Sequence, residues 1–476
     1  MERKVIHSIG IDIGTTTTQV IFSNLTVVNR APASQVPVYE FVDREISYQS
    51  PVEFTPIDHH GRIDAIALRQ FIDQQIELAG FASEGIETGA IIITGETAKA
   101  HNAREAIMDL SHDLGDFVVA TAGPNLESVI AGRGSGAQEF SEQNHLKVMN
   151  VDIGGGTSNY VIFDCGRVVD TACLNIGGRL IELNPQGEIS YVHKPAVAVV
   201  QDLFGESLSP RQISQDHLNR IVVRMADLIV ELITGNLTKL SAHLLQTPEL
   251  KAIADIDAIF LSGGVGECFY RQQQEAMQPT QFGDIGPLLA RALLRHKDLD
   301  QYTVKKPNQT VRATVIGAGA YSLTLSGSTI WLNCNDLPLK NIPVVHPAID
   351  WQQSSPAICS EIIIAAERMD LALGCDLYAI SFDANMPIRY HAVQHVAREL
   401  ALFYRDHGNH HATALVIMHN DIGKALGMEL QPLLGAQALS VIDEVATHEG
   451  DYIDIGKSYF GGEIVPLTVK SLAFPS

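Results

Sequence analysis

The sequence is short of positive charge. Its 33 Lys and Arg face 55 Asp and Glu, a formal net charge of −22 at pH 7, and no Lys/Arg run gathers the basic residues into a patch. A chain of this sign repels phosphate backbones, so nucleic acid is not an expected partner. No window holds the run of about 18 or more apolar residues that spanning a bilayer requires, so no membrane role is expected. Met1–His7 leads straight into strand-like sequence without a signal-peptide pattern. Cys165, Cys173, Cys268, Cys334, Cys359 and Cys375 include no CxxC pair and read as reduced, mostly packing thiols of a cytoplasmic protein. His59-His60 and His410-His411 lie in polar stretches, lack metal-ligand spacing, and read as surface loops. A P-loop is missing too, because the glycines before Gly423-Lys424 are wrongly spaced.

What is present is ample core. Hydrophobic residues make up 46% of 476 positions, enough for two or three domains. The chain opens on Ile9-Gly-Ile-Asp12-Ile-Gly14-Thr-Thr-Thr-Thr18-Gln-Val-Ile-Phe22: an apolar strand, a tight turn, four threonines and a second strand. Such a turn can bring N–H groups and hydroxyls to a phosphate and a carboxylate to its metal. Alone, it reads equally as an ordinary hairpin with a polar turn. A second copy changes the balance. Val148-Met-Asn-Val-Asp152-Ile-Gly154-Gly-Gly156-Thr157-Ser-Asn159-Tyr-Val-Ile-Phe163 restates it 140 positions later, which indicates two similar subdomains. Asp-Ile-Gly also begins at Asp284, Asp421 and Asp454. Asp284 and Asp454 follow loop-like sequence and Asp421 leads into a helix start, so none of the three is read as a phosphate turn.

Between and after the copies, helical spacing marks Ile63 to Leu78. Short apolar runs mark buried strands at Ala90–Thr94 and Phe117–Ala120. A helix is read from Gly95-Glu96-Thr97 to Leu110. A small-residue helix from Leu126 to Ala131, ending at Gly132-Arg-Gly-Ser-Gly136, suggests close packing against another helix. Met225–Leu240 is read as a long amphipathic helix. Ala258–Leu261 is a strand ending in Ser262-Gly263-Gly264-Val-Gly266, where a planar base can lie against bare backbone. Thr314–Leu323 reads as a second Gly/Ala-rich helix. From about Gly327, strands at Leu377–Phe382, Ala414–Met418 and Ala438–Ile442 alternate with helices at Val393–Phe403 and Lys424–Leu430. A hairpin-like segment, 451–469, follows.

Two Gly/Thr turns, two Gly/Ala helices and a Gly-Gly turn, in this order, resemble the actin–Hsp70–sugar kinase superfamily. The closer resemblance is to the ethanolamine ammonia-lyase reactivating factors, the EutA family. It rests on 12–22, 91–99, 152–160, 261–268, 311–319, 452–456 and the C-terminal Ser-Leu-Ala-Phe-Pro-Ser476. The resemblance implies an α/β fold with duplicated ribonuclease-H-like (actin/Hsp70-type) ATPase domains and an additional C-terminal α/β domain. The domains would be 1–147 (rejoined by 312–326), 148–311 and 327–476. It also implies an ATP- and Mg²⁺-dependent, chaperone-like factor that releases damaged cobalamin from ethanolamine ammonia-lyase so that intact adenosylcobalamin can bind. Such a factor would be cytoplasmic, beside or inside a bacterial microcompartment. Carried over by residue, Asp12 and Asp152 hold Mg²⁺, partly through waters, and Gly14, Thr15, Thr16 and Thr17 meet the β/γ-phosphates. Gly154, Gly155, Gly156 and Thr157 present N–H groups from the opposite domain, and Gly263, Gly264 and Gly266 border base and ribose.

Two departures from the Hsp70 pattern bear on catalysis. An acid usually precedes the proline of the first connecting segment, and here Gly123 precedes Pro124. Glu127 and Glu96 are the nearest substitutes, though Glu127 reads equally as a helix-start carboxylate and Glu96 as a solvated turn residue. The second turn ends in the neutral Asn159. Fewer acids imply slow hydrolysis, which suits a switch. Two other function classes stay open on sequence alone: a small-molecule kinase of the same fold, for which no substrate-facing Asp base is found, and a nucleotide-binding scaffold that does not hydrolyse.

Overall fold

The computed structural model of the chain describes residues 3–14, 17–29, 39–51, 53–56, 62–80, 88–93, 117–121, 123–184, 186–275, 277–278, 281–307, 320–325, 330–334, 336–353, 356–456 and 465–471. Three large sheets and one two-stranded sheet organise them. The first contains β1 (Arg3–Ile13), β2 (Thr17–Asn29), β3 (Tyr39–Gln49), the two-residue β4 (Glu53–Phe54), β5 (Thr88–Ile93) and β6 (Phe117–Thr121). Its order is β3-β2-β1-β5-β6. β1, β2 and β3 form an antiparallel meander, and β5 and β6 run parallel to β1. The helix α1 (Ala65–Leu78) starts where the Asp64 carboxylate accepts from the N–H groups of Ile66 and Ala67, a side-chain cap for orphan donors. Its Leu68, Ile72 and Ile76 pack with Ile9, Ile11, Ile13 and Ile91. The helix expected through Leu110 lies outside the described residues.

The second sheet repeats the plan with β7 (Lys147–Ile153), β8 (Ser158–Asp164) and β9 (Arg167–Leu174). A side hairpin, β10 (Ile181–Leu183) and β11 (Ile189–Val192), precedes β12 (Ala258–Ser262) and β13 (Val304–Lys305). The order is β13-β12-β7-β8-β9, again with an antiparallel meander and two parallel strands beyond it. The duplication extends to single residue pairs. Asp12 lies opposite Gln19 and Ile13 opposite Thr18, while Asp152 lies opposite Asn159 and Ile153 opposite Ser158. Both hairpins thus close through a turn of equal length with the aspartate at the same rung.

The sheets are joined by α2 (Pro124–Gly134) and α3 (Ala137–Asn144). The small residues of α2 do serve close packing, but against strand β8 and not another helix. A Cβ on Gly132 would lie 2.7 Å from Cε2 of Phe163 and would strike Val161. Further on come α4 (Lys194–Phe204), α5 (Gln215–Thr234), α6 (Lys239–Leu244), α7 (Gly263–Arg271) and α8 (Gly286–Leu294). The amphipathic helix expected over Met225–Leu240 instead begins after the Ser214 cap and stops at Gly235, whose φ of 73° ends it. Its buried face, including Ile221, Met225, Leu228 and Ile229, forms the middle unit's core with β7 and β12.

The third sheet takes β14 (Ala320–Leu325), β15 (Trp331–Asn333), β16 (Leu339–Val345), β17 (Ala379–Phe382), β18 (Ala414–Met418), β19 (Leu439–Ile442), β20 (Asp451–Ile455) and β21 (Pro466–Ser471). The order is β14-β21-β20-β16-β17-β18-β19-β15, with β16 to β19 parallel. Val345, Ile380, Val416 and Val441 pack with α9 (Ile358–Arg368), α10 (Tyr390–His407) and α11 (Gly423–Leu434). Val344, Ala379, Leu415 and Ile442 fill the opposite face. The strands and helices read in this region, and its closing hairpin, are present. Of the Gly/Ala helix read over Thr314–Leu323, residues 314–319 lie outside the described residues, and the remainder belongs instead to the strand Ala320–Leu325, antiparallel to β21. Tyr321, Leu323 and Leu325 alternate with Ser322 and Thr324, a period-two pattern that outweighs the small residues before it.

Candidate functional site

β7 ends at Asp152-Ile153, and Gly154, Gly155, Gly156 and Thr157 turn the chain into β8. The Gly154 N–H donates to the Thr157 carbonyl at 2.9 Å, so it closes the turn. A second segment braces the turn. The Gly178 N–H donates to the Gly154 carbonyl (2.9 Å) and the Arg179 N–H to the Gly155 carbonyl (2.7 Å). Gly177 permits that approach, since a Cβ there would stand 2.5 Å from the Gly155 carbonyl oxygen.

Beside the turn, β12 pairs with β7 so that Ser262 faces Asp152. The Ser262 hydroxyl donates to Asp152 Oδ1 at 2.7 Å and accepts from Asn150 Nδ2 at 3.1 Å. Burial pushes the Asp152 carboxyl up to about 6, against the lowering effect of the Ser262 hydrogen bond. α7 begins directly after Ser262. Gly263 has φ +81°, and a Cβ on it would sit 2.8 Å from the Ile153 nitrogen. Gly266 presses on the Leu261 backbone in the same way, its notional Cβ 2.8 Å from Leu261 O.

The glycines here divide into two kinds. Gly177, Gly263 and Gly266 are fixed by close backbone packing. A Cβ on Gly156 or Gly264 would meet nothing within 4 Å, and one on Gly154 only the Thr157 carbonyl at 3.7 Å. Among the described residues nothing in the chain requires glycine at Gly156 and Gly264. Both border open space at the carboxyl ends of parallel strands, where α/β sheets bind ligands.

The first turn is the topological twin. Asp12 and Gly14 end β1, and the Thr55 hydroxyl donates to the Gly14 carbonyl at 2.7 Å and lies 3.0 Å from that of buried Thr18. Thr17 starts β2, where it pairs with Phe54. Thr15, Thr16 and Glu96 lie outside the described residues. Glu127 sits in the first turn of α2. Asp152, Gly154, Gly155, Gly156, Thr157, Gly263, Gly264 and Gly266 are thus brought together at the carboxyl ends of two adjacent strands, while Asp12 and Gly14 hold the equivalent place in the other sheet. No group of three or more His, Cys, Asp or Glu able to hold a metal occurs among the described residues. Carboxylate oxygens such as those of Asp12 and Asp152 are the donor type that Mg²⁺ takes, alongside waters and substrate phosphates.

A family model described as "Ethanolamine utilisation protein EutA" matches residues 4–475. The chain belongs to the EutA family. Two members, from Salmonella typhimurium strain LT2 and Escherichia coli strain K12, carry the name ethanolamine ammonia-lyase reactivase EutA. Each is 52% identical over 482 residues, covering 100% of this chain and 100% of the relative. Among solved structures, a Ppx/GppA family member from Aquifex aeolicus aligns at TM-score 0.38 and 14% identity, covering 66% of this chain and 97% of that one.

In this EutA member the third unit also reaches the connecting helix α2, which sequence reasoning missed. The N-cap residue Gly123 has no side chain to offer. Asp370, just past α9, accepts instead from the Leu126 N–H (2.9 Å) and from Asn125 Nδ2 (3.1 Å). At the other end Arg133 bonds the Glu449 carbonyl. The Glu449 carboxylate lies 3.2 Å from Arg368 Nε, and Arg368 Nη1 donates to the Val168 carbonyl at 2.9 Å. No local pattern could reveal partners so far apart in the chain. The Gly177-Gly178 pair, by contrast, was a visible cue for a close backbone approach.

Proposed function

We propose that this EutA-family chain reactivates ethanolamine ammonia-lyase, using ATP and Mg²⁺ to release damaged cobalamin so that intact adenosylcobalamin can bind. The name shared by its full-length relatives supports the lyase as partner. The observation that supports nucleotide use is the pair of turns with aspartate at the same rung of twin hairpins, one of them lined by glycines that face open space.

Gly154 gives its N–H to the turn itself, so Gly155 and Gly156 are the donors left for a phosphate in the middle unit, with Thr157 beside them. Thr15, Thr16 and Thr17 would donate from the first unit. Gly263, Gly264 and Gly266 would lie under the base and ribose. Asp12 and Asp152 would hold Mg²⁺, which neutralises phosphate charge and so lets a chain of net charge −22 accept a nucleotide. Because the clamp draws on both sheets, nucleotide state would bias the angle between them. Taking such an equilibrium from 1:99 to 99:1 needs about 5.5 kcal/mol of differential binding, within reach of a ligand gripped from both sides.

The test is release of cyanocobalamin from inactivated ethanolamine ammonia-lyase with ATP and Mg²⁺. The wild type should release it, while Asp12→Ala and Asp152→Asn should fail with melting temperatures unchanged. Release no greater than with an inert protein would end the proposal.

A further inference from the structure

We propose that Asp370, from the third unit, is the water-positioning carboxylate of ATP hydrolysis, delivered into the place where the connecting segment of this chain carries only Gly123. The inference rests on the ATPase reading above.

The Hsp70 pattern that the chain resembles has an acid before this proline, where Gly123 stands here, and the structure shows what occupies that place. A Cβ built on Gly123 would lie 2.7 Å from Asp370 Oδ1 and closer still to its Cγ. The carboxyl therefore fills the volume that a side chain at 123 would take. Glycine is required at 123 because the acid comes from elsewhere.

The location fits a catalytic task. β1, β5 and β6 are parallel, with Ile13, Ile93 and Thr121 in register at their carboxyl ends. Gly123 follows β6 on the edge where Gly14 follows β1. Two strand spacings separate β1 from β6, about 10 Å, so the Asp370 carboxyl stands on the rim that holds Asp12 and the first turn. Its oxygens accept from the Leu126 N–H, from Asn125 Nδ2 and from the Asn125 backbone N–H. A carboxylate has about four lone-pair sites, so acceptor capacity remains for a water, and Asp370 keeps solvent-exposed surface.

In the step, the water oxygen bonds to the γ-phosphorus and the bond from that phosphorus to the bridging oxygen breaks. That oxygen leaves with ADP, and the water's proton passes to the Asp370 carboxylate. Asp370 arrives on the third unit, so hydrolysis runs only while that unit is seated on α2. A partner that unseats it would halt turnover.

The competing reading is that Asp370 is only a helix cap supplied from a distance, and four full-length variants separate the two. Asp370→Asn keeps an acceptor for the Leu126 N–H but no charge. Asp370→Gly removes both, at a site whose φ of 54° suits glycine. The exchange Gly123→Asp with Asp370→Gly returns a carboxylate to the vacated volume and places a favoured cap at the N-cap position. The exchange Gly123→Asn with Asp370→Gly returns the cap alone. Phosphate release, the melting temperature and its rise with ATP-Mg²⁺ are measured for each.

Asp370→Asn should lower phosphate release at least tenfold while keeping the melting temperature and its ATP-induced rise. The Asp exchange should recover turnover and the Asn exchange only the melting temperature. Turnover that follows the melting temperature across the series, with Asp370→Asn active, overturns the proposal and leaves the cap. Wild-type release no greater than that of Asp12→Ala would remove the ATPase reading and this one with it.

Discussion

Two alanine substitutions, Gly156→Ala and Gly177→Ala, should part binding from folding within one turn. At Gly177 the new methyl would stand 2.5 Å from the Gly155 carbonyl oxygen and 2.8 Å from that of Gly154. Both are backbone atoms with no rotamer to yield. The brace or the turn must move, which costs about 1–3 kcal/mol by the usual toll of overpacking. At Gly156 the methyl would meet nothing within 4 Å, and restricting the unfolded chain should stabilise by about 0.4–1 kcal/mol. That open volume is the space assigned to a phosphate. With ATP-Mg²⁺ at 100 times its dissociation constant, wild type gains about 2.7 kcal/mol, and Gly156→Ala should lose most of that gain. Thermal and urea melts with and without ATP-Mg²⁺ read both effects. The expected pattern is a stable Gly156→Ala that ignores nucleotide and a Gly177→Ala weakened even without it. A Gly156→Ala protein with the full ATP-induced shift would refute the placement of the phosphate.

The remaining predictions concern the third unit. Glu449→Gln leaves the guanidinium groups of Arg133 and Arg368, 10% and 13% exposed, without their nearest counter-charge. Since Asp451 still helps Arg133, the loss should sit near the lower end for breaking a buried pair, about 3 kcal/mol, read by urea denaturation. His346 bonds Thr447 at 2.8 Å, and burial lowers its pKa to about 4. The neutral form is favoured in the folded state, so its contribution is whole above about 6.5 and lost as pH falls from there towards 4. The melting temperature should fall between pH 6.5 and 4.5 in wild type, and His346→Gln should flatten that slope.

Much of the fold was legible because its cues were local. The Asp12 and Asp152 hairpins announce themselves as apolar strands around Gly/Thr turns, and their echo predicts the twin sheets. α5 ends short of the expected Leu240, since apolar spacing continues beyond Gly235 and only the positive φ there ends the helix, and it starts at Gln215, ahead of the expected Met225. Small residues in α2 were read as a helix contact, but smallness alone does not say whether a strand or a helix fills the space. The site was half legible. Glycines after strands point to Gly156 and Gly264, but the Ser262 contact to Asp152 depends on strand register. The Asp370 contact to Leu126 joins residues 244 positions apart, a pairing that no periodicity encodes.

That separation sets an order on synthesis. α2 leaves the ribosome with its leading N–H groups bare and waits for a carboxylate that is translated much later. At about 5–20 residues per second, the 244-residue gap lasts roughly 12–50 s. β14 faces a similar delay, because its partner β21 lies at the far end of the chain. A nascent chain halted before residue 370 therefore exposes an uncapped helix and a lone strand edge together. Holding factors that grip unfinished chains should find it there, and release it only after the last strand has been made.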